Sequence, residues 1–159
     1  MPTTVFSTAT ATALDHDAPS ADARFARIIA HPAGARRVAY WTCTGITAAV
    51  FLSGGLAYLA GAEAPLAGMA ALGYPAYFVT VLGAWKVLAA AALLSPRLPR
   101  LKEWGYAGIA FDLTGAAISH LAMGHGVAKA LVPLGFLAVA LASWALRPSS
   151  RRLDETRVM

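Results

Sequence analysis

WGYAGIAFDLTGAAISHLAMG, residues 104–124, is long enough to cross a bilayer, yet it carries an aspartate and a histidine. At helical spacing one stripe of it reads Gly105, Gly108, Asp112, Gly115/Ala116 and Ser119, small residues around a single acid. Ile109, Phe111, Leu113, Ile118 and Leu121 are expected on the opposite side. In a membrane, small faces let helices approach closely and greasy faces meet lipid. The stretch therefore predicts a helix at the centre of a bundle, with its acid turned inward.

The rest of the chain fits that reading. It has 159 residues, enough for one domain. Only 13% of them are charged and 58% are hydrophobic, whereas a soluble domain carries about 25% charged residues. The formal charge of +5 does not point to nucleic acid. The basic residues flank apolar blocks, as topology signals do, and no basic stripe is interleaved with aromatics. Cys43 stands alone, which excludes an intramolecular disulfide, a self-contained CxxC relay and a cysteine-type zinc site.

Residues 1–36 read as a disordered and juxtamembrane segment. They hold Asp15, Asp17 and Asp22 and lack the apolar core of a cleavable signal peptide. Within them, residues 20–31 have two readings: a basic amphipathic helix on the membrane surface, or a solvated tail. Pro32 and Gly34 are expected to break the chain. Residues 37–148 are expected to hold four spans: 38–60, 75–95, 104–123 and 127–146. Residues 61–73 are expected to form a loop, with Glu63 their only charge, and residues 149–159 a polar tail. The hydroxyls of the first span, Thr44 and Thr47 among them, suit helix packing more than ligand binding. Pro133 is expected to kink the fourth span mildly. The fold class that follows is all-α, an integral-membrane antiparallel four-helix bundle.

Orientation follows from arginine and lysine. Arg24, Arg27, Arg36 and Arg37 precede the first span. Arg97, Arg100 and Lys102 lie between the second and third, and Arg147, Arg151, Arg152 and Arg157 follow the fourth. The first loop has none and the third has at most Lys129, placed to snorkel. Both termini and the middle loop are expected on the cytoplasmic side of the membrane. Tyr40, Trp41, Trp104 and Trp144 then read as an aromatic belt at that side, with Tyr74 and Tyr77 at the other.

Two charges fall at matching depth. Lys86 lies nine residues before Ser95, and Asp112 eight residues after Trp104. At the helical rise both are roughly 12–14 Å in from the same end. Spans joined by a short turn run antiparallel, so the two side chains are expected to meet. A lone charge at that depth costs at least about 2.5 kcal/mol, and pairing is the usual remedy. Such a pair has two readings, a register lock or a group that binds or protonates something. His120 lies about 80° round the helix from Asp112. It is within expected reach of Ser119, Tyr58 and Tyr74, as an interface residue held by hydrogen bonds. His120 and His125, five apart, do not share a helical face, so no metal site is expected of them. The sequence holds no phosphate loop, nucleotide fingerprint or nucleophile elbow.

LGYPAYF (72–78), LSPRLPRLKEWGYAG (94–108), FDLTGAAISH (111–120) and a last span closing on Arg147–Pro148 together resemble the DoxX-like family of small four-span bacterial membrane proteins. The resemblance covers about residues 37–148. Family members often carry a lysine near the end of span one, where this chain has Tyr58. Lys86, Asp112, Ser119 and His120 are the positions that carry over. The resemblance implies a redox-associated subunit, since the family is linked to a terminal quinol oxidase, thiosulfate oxidation and thiol stress.

Three functions stand side by side. The first is a membrane subunit touching quinone, in which Asp112, Lys86 or His120 bonds the ligand and electrons pass through a redox partner protein or an oligomer of this chain. The second is a cofactor-free enzyme on a lipophilic small molecule, with Asp112, Lys86 and His120 as acid/base groups and Ser119, Tyr58 and Tyr74 binding the ligand. Isomerisation, cyclisation or epoxide opening would suit it. The third is a small transporter or an assembly factor.

Overall fold

A computed structural model describes Ser20 and residues 32–151. The described residues form α1 (Pro32–Leu59), α2 (Glu63–Ala71), α3 (Ala76–Leu94), α4 (Pro99–Ala122), α5 (Val127–Leu146) and a 3₁₀ turn at Ser149–Arg151. They contain no strand. The surface helix expected within residues 20–31 lies outside them, Ser20 apart. Three helices are long and apolar enough to cross a membrane by length and composition: Ala33–Leu59 of α1, all of α3 and all of α5. Helix α4 is longer than α3 and α5 but carries Arg100, Lys102, Glu103 and Asp112.

Two helices begin earlier than the hydropathy pattern predicts. Helix α1 starts at Pro32 and runs through Gly34, so the expected break is absent. Helix α4 starts at Pro99, five residues before Trp104. Proline suits a first helical position, because its missing N–H would have had no intrahelical partner there. Polar residues then extend each helix beyond its apolar block.

The expected loop over 61–73 contains helix α2. Glu63 occupies its first turn, where the helix dipole favours an acid. Pro65 also falls in that turn, where proline does little harm, and Met69 is buried.

Helices α1, α2 and α4 end in the same way. Gly61, Gly73 and Gly124 adopt φ of +68°, +79° and +67°. Each glycine N–H bonds the carbonyl three residues back, at Tyr58, Ala70 and Leu121 respectively. The next N–H reaches five back: Ala62 to Ala57, Tyr74 to Met69, His125 to His120. This closure draws residues five apart together at the helix end.

Helices α1 and α3 cross closely at two glycines. A Cβ on Gly55 would lie 2.8 Å from the Gly83 carbonyl oxygen, and one on Gly83 would lie 2.9 Å from the Tyr58 Cβ. Helix α4 meets α3 at Gly105, whose Cβ would lie 3.1–3.2 Å from Leu93 and Ala92. Within the stripe that opened the sequence reading, Gly105 alone of the glycines makes a close approach. Gly108 and Gly115 have no atom within 4 Å of a Cβ position.

The expected greasy side of α4 divides. Phe111, Ile118 and Leu121 are exposed, but Ile109 and Leu113 are buried in a core with Phe51, Ala90, Leu93, Tyr106 and Ala140. The reason is helical spacing: Ile109 and Leu113 follow Gly105 at intervals of four and share a face with Lys102, Tyr106 and Ala117, and that face is the buried one.

Candidate functional site

Lys86 of α3 and Asp112 of α4 meet. Lys86 Nζ donates to Asp112 Oδ2 at 2.5 Å, with the two side chains 15% and 12% exposed. The Phe51 ring of α1 lies under the ammonium, 4.6 Å from Nζ to its centroid, and the Tyr58 ring lies at 5.9 Å. Both distances allow cation–π attraction. Tyr58 can stand so near because the Gly55–Gly83 crossing brings α1 against α3. It therefore belongs with Lys86, not with His120 as the sequence reading expects.

The pair forms the polar part of a pocket of about 470 Å³ between α3 and α4. That is room for one small ligand. Leu82, Trp85, Leu88 and Ala89 of α3 line one wall, and Leu101, Trp104, Gly108 and Phe111 of α4 the other. Phe51 also contributes. Trp85, Leu88, Trp104 and Phe111 are all more than half exposed, so the mouth opens on the outward apolar surface. The open Cβ position of Gly108 leaves the room, and a side chain there would occupy it. The sequence reading expects Trp104 in an interfacial belt and Gly108 in a stripe of close helix approach, and it does not single out Trp85. Their signal was the shared spacing: 82, 85, 86 and 89 on one helix against 101, 104, 105, 108, 111 and 112 on the other.

The remaining candidates lie toward the other end of α4, in two separate contacts. Tyr74 Oη and Ser119 Oγ are 2.7 Å apart, and the Tyr74 ring stacks on Phe78. His120 Nδ1 and His125 Nδ1 are 3.1 Å apart. His120 is eight residues from Asp112, about 12 Å along the axis. It does not line the pocket. The expected grouping of Asp112, Lys86 and His120 is thus two groups.

A polar layer that helical spacing does not reveal lies at the Lys102 end. Thr44 Oγ1, Ser143 Oγ and Tyr106 Oη form a buried chain, with Ser143 2.7 Å from each neighbour. This chain ties α1, α4 and α5 together, which bears on the packing role expected of Thr44. Arg147 Nη1 donates to Glu103 at 2.8 Å, and Trp144 Nε1 donates to the same carboxylate at 3.0 Å. Burial would push the Glu103 carboxyl up, but these two bonds and the Arg147 charge hold it below its usual range. Tyr40, expected in the interfacial belt, is fully buried.

The sequence predicts Lys102 as a flanking charge of the turn, yet it is 1% exposed. Its ammonium donates to the carbonyls of Leu93 at 2.7 Å, Ala92 at 3.1 Å and Ser95. It thereby closes the C-terminal end of α3, where carbonyls lack intrahelical partners and a cation is favoured. Burial, with Arg151 and Arg147 nearby, pushes its pKa down to about 8, so it stays protonated at neutral pH.

Among comparisons with known proteins, the family model described as the DoxX-like family matches residues 42–143. No curated protein and no solved structure matches the chain.

Proposed function

This chain belongs to the DoxX-like family of membrane proteins, and we propose that it binds one lipophilic small molecule of the quinone class in the pocket between α3 and α4, as a membrane subunit of a redox-associated complex. The observation that carries this reading is the Lys86–Asp112 pair set in an otherwise apolar pocket. An apolar pocket with a few converging polar groups is the usual form of a small-molecule site. Its mouth among exposed aromatic and aliphatic side chains suits a ligand that arrives from lipid.

The residues divide the work as follows. Lys86 gives one of its three N–H bonds to Asp112. The others remain to donate to a ligand oxygen. Asp112 accepts from Lys86 through Oδ2, which leaves Oδ1 to accept from a ligand hydroxyl. A quinone would supply the redox chemistry and a partner protein the electrons. Trp85, Trp104 and Phe111 offer flat apolar faces for a ring or an isoprenoid tail.

In this reading α4 is the fourth span, making an antiparallel four-helix bundle in the inner membrane. Its Asp112 is neutralised by Lys86, and its flanking Lys102 and Glu103 are held by protein partners. Arg97 and Arg100 in the turn, with Arg36, Arg37 and the C-terminal arginines, put both termini in the cytoplasm.

One observation favours a second reading, a cofactor-free enzyme acting on a lipophilic substrate: an acid and a base share a largely apolar pocket, where proton transfer to a bound substrate is feasible. Its acid/base groups are Lys86 and Asp112, and His120 has no part in it.

Native mass spectrometry and an ultraviolet–visible spectrum of the protein purified in mild detergent test the proposal. A bound quinone that Asp112→Asn loses is the expected result. A non-quinone lipophile lost by the same variant transfers the site to the second reading. A ligand retained unchanged by Asp112→Asn overturns both.

A further inference from the structure

We propose that His120 and His125 form a two-imidazole chelate for a borderline divalent cation such as Zn²⁺ or Cu²⁺, separate from the pocket. Residues five apart do not face each other on a continuous helix, and on that ground the sequence alone leads to no expected site. The chain is not a continuous helix here. Helix α4 stops at Ala122, Gly124 turns left-handed, and the His125 N–H bonds back to the His120 carbonyl at 3.0 Å. That closure sets the residue after the glycine beside the residue five before it. At the two equivalent turns these positions hold Ala62 with Ala57 and Tyr74 with Met69. Only here are both of them metal-binding side chains.

The donor atoms are already placed. The two Nδ1 atoms lie 3.1 Å apart, with the rings tilted by 48°. An ion about 2.1 Å from each nitrogen would see them at an angle of about 95°. That lies between square-planar and tetrahedral values and suits two adjacent ligands. Without metal, one Nδ1 carries the proton and donates to the other. Metal binding shifts that proton to Nε2 of the same ring by exchange with water, which keeps both imidazoles neutral and leaves both Nδ1 lone pairs for the ion. Imidazole nitrogen selects Zn²⁺, Cu²⁺ and Ni²⁺ over the hard cations Mg²⁺ and Ca²⁺.

Among the described residues no third His, Cys, Asp or Glu joins the pair. Both histidines are half-buried, so water completes the coordination. The ion is then exchangeable, and it clips the end of α4 to the turn that leads into α5.

The test uses the full, untagged chain in detergent, stripped with a chelator. Zn²⁺ affinity is measured by calorimetry and the ligand set by Cu²⁺ electron paramagnetic resonance. His16 and His31 stay in place in every protein as internal controls. The wild type is expected to bind one Zn²⁺ per chain, with splitting from two nitrogens on Cu²⁺. His125→Gln is expected to weaken Zn²⁺ by roughly tenfold or more, no less than the loss typical of a group that merely orients a ligand. His120→Gln should do the same, and the double variant should be little worse than either single, since a chelate needs both rings. Should His120→Gln fail to fold, His125→Gln decides alone, because it lies beyond the helix. A His125→Gln protein that holds Zn²⁺ as tightly as wild type, or that keeps both nitrogen splittings, overturns the proposal. So does independent, additive loss in the two single variants.

Discussion

Two lysines lie inside this molecule and are held in opposite ways. Lys102 is sealed, with all of its donors directed at main-chain carbonyls of Ala92, Leu93 and Ser95. Lys86 is held by one carboxylate and two aromatic faces, on the wall of a pocket. The difference teaches how to tell a structural charge from an available one. An ammonium has three N–H groups. When protein carbonyls take all three, none is left for a ligand. When a single carboxylate takes one, the charge is neutralised but its hydrogen-bonding capacity is not exhausted.

The largest effect is expected at the sealed lysine. Lys102→Met removes three donors at once and leaves carbonyls at the end of α3 without partners. Hydrogen bonds to charged groups are worth about 1.5–3 kcal/mol each, and they overlap here, so a loss of about 3 kcal/mol or more is expected. Denaturant titration in detergent measures it. The folded fraction should bind the pocket ligand at unaltered stoichiometry. A Lys102→Met protein as stable as wild type would break the contrast, because the carbonyl cage would then be incidental.

The available lysine gives a smaller stability effect and a larger binding effect. Lys86→Met leaves Asp112 without its partner, and Asp112→Asn does the reverse. Breaking a fully buried pair costs about 3–5 kcal/mol, and this pair touches the pocket, so about 2 kcal/mol is expected for each. The double variant should recover part of that, with a coupling of about 1–3 kcal/mol. All three proteins should lose the pocket ligand. Additive stabilities would show that the pair contributes no coupling. Retained ligand would move Lys86 into the same structural class as Lys102.

These two lysines also mark how far the sequence is legible. The helical class, three of the four expected spans as apolar helices long enough to cross a membrane, and the meeting of Lys86 with Asp112 all follow from hydropathy and helical rise, which are local and periodic. The sealed lysine does not. Lys102 stands among Arg97, Arg100 and Glu103 in a run that reads as a solvated turn. Only the early start of α4 at Pro99 carries it under the end of α3. The pocket was half-legible, for the glycine stripe was visible but its meaning was ambiguous. Small residues permit either close approach or empty space, and which one results depends on what stands opposite. Opposite Gly105 stand Ala92 and Leu93, whereas opposite Gly108 there is nothing within reach. The His120–His125 contact is concealed because helical spacing says nothing about a residue in the turn beyond Gly124, and only the backbone closure there brings His125 back to His120.

That ambiguity of glycine gives the smallest and most discriminating expectation. At Gly55 an added methyl would lie 2.8 Å from the Gly83 carbonyl and 2.9 Å from Val87, so backbone must shift. Overpacking of this kind costs about 1–3 kcal/mol. Gly55→Ala would also push α1 off α3, carrying Phe51 and Tyr58 away from Lys86, so pocket binding should weaken with stability. At Gly108 the same methyl meets no atom within 4 Å. There the helix gains up to about 1 kcal/mol from replacing glycine by alanine. Gly108→Ala should therefore be as stable as wild type or slightly more so, while Gly108→Leu should fill the pocket and exclude its ligand without unfolding the chain. Thermal unfolding paired with ligand content by native mass spectrometry separates the two glycines. If Gly108→Leu keeps both its stability and its ligand, the ligand lies elsewhere, and the pocket is empty space that Lys86 and Asp112 merely border.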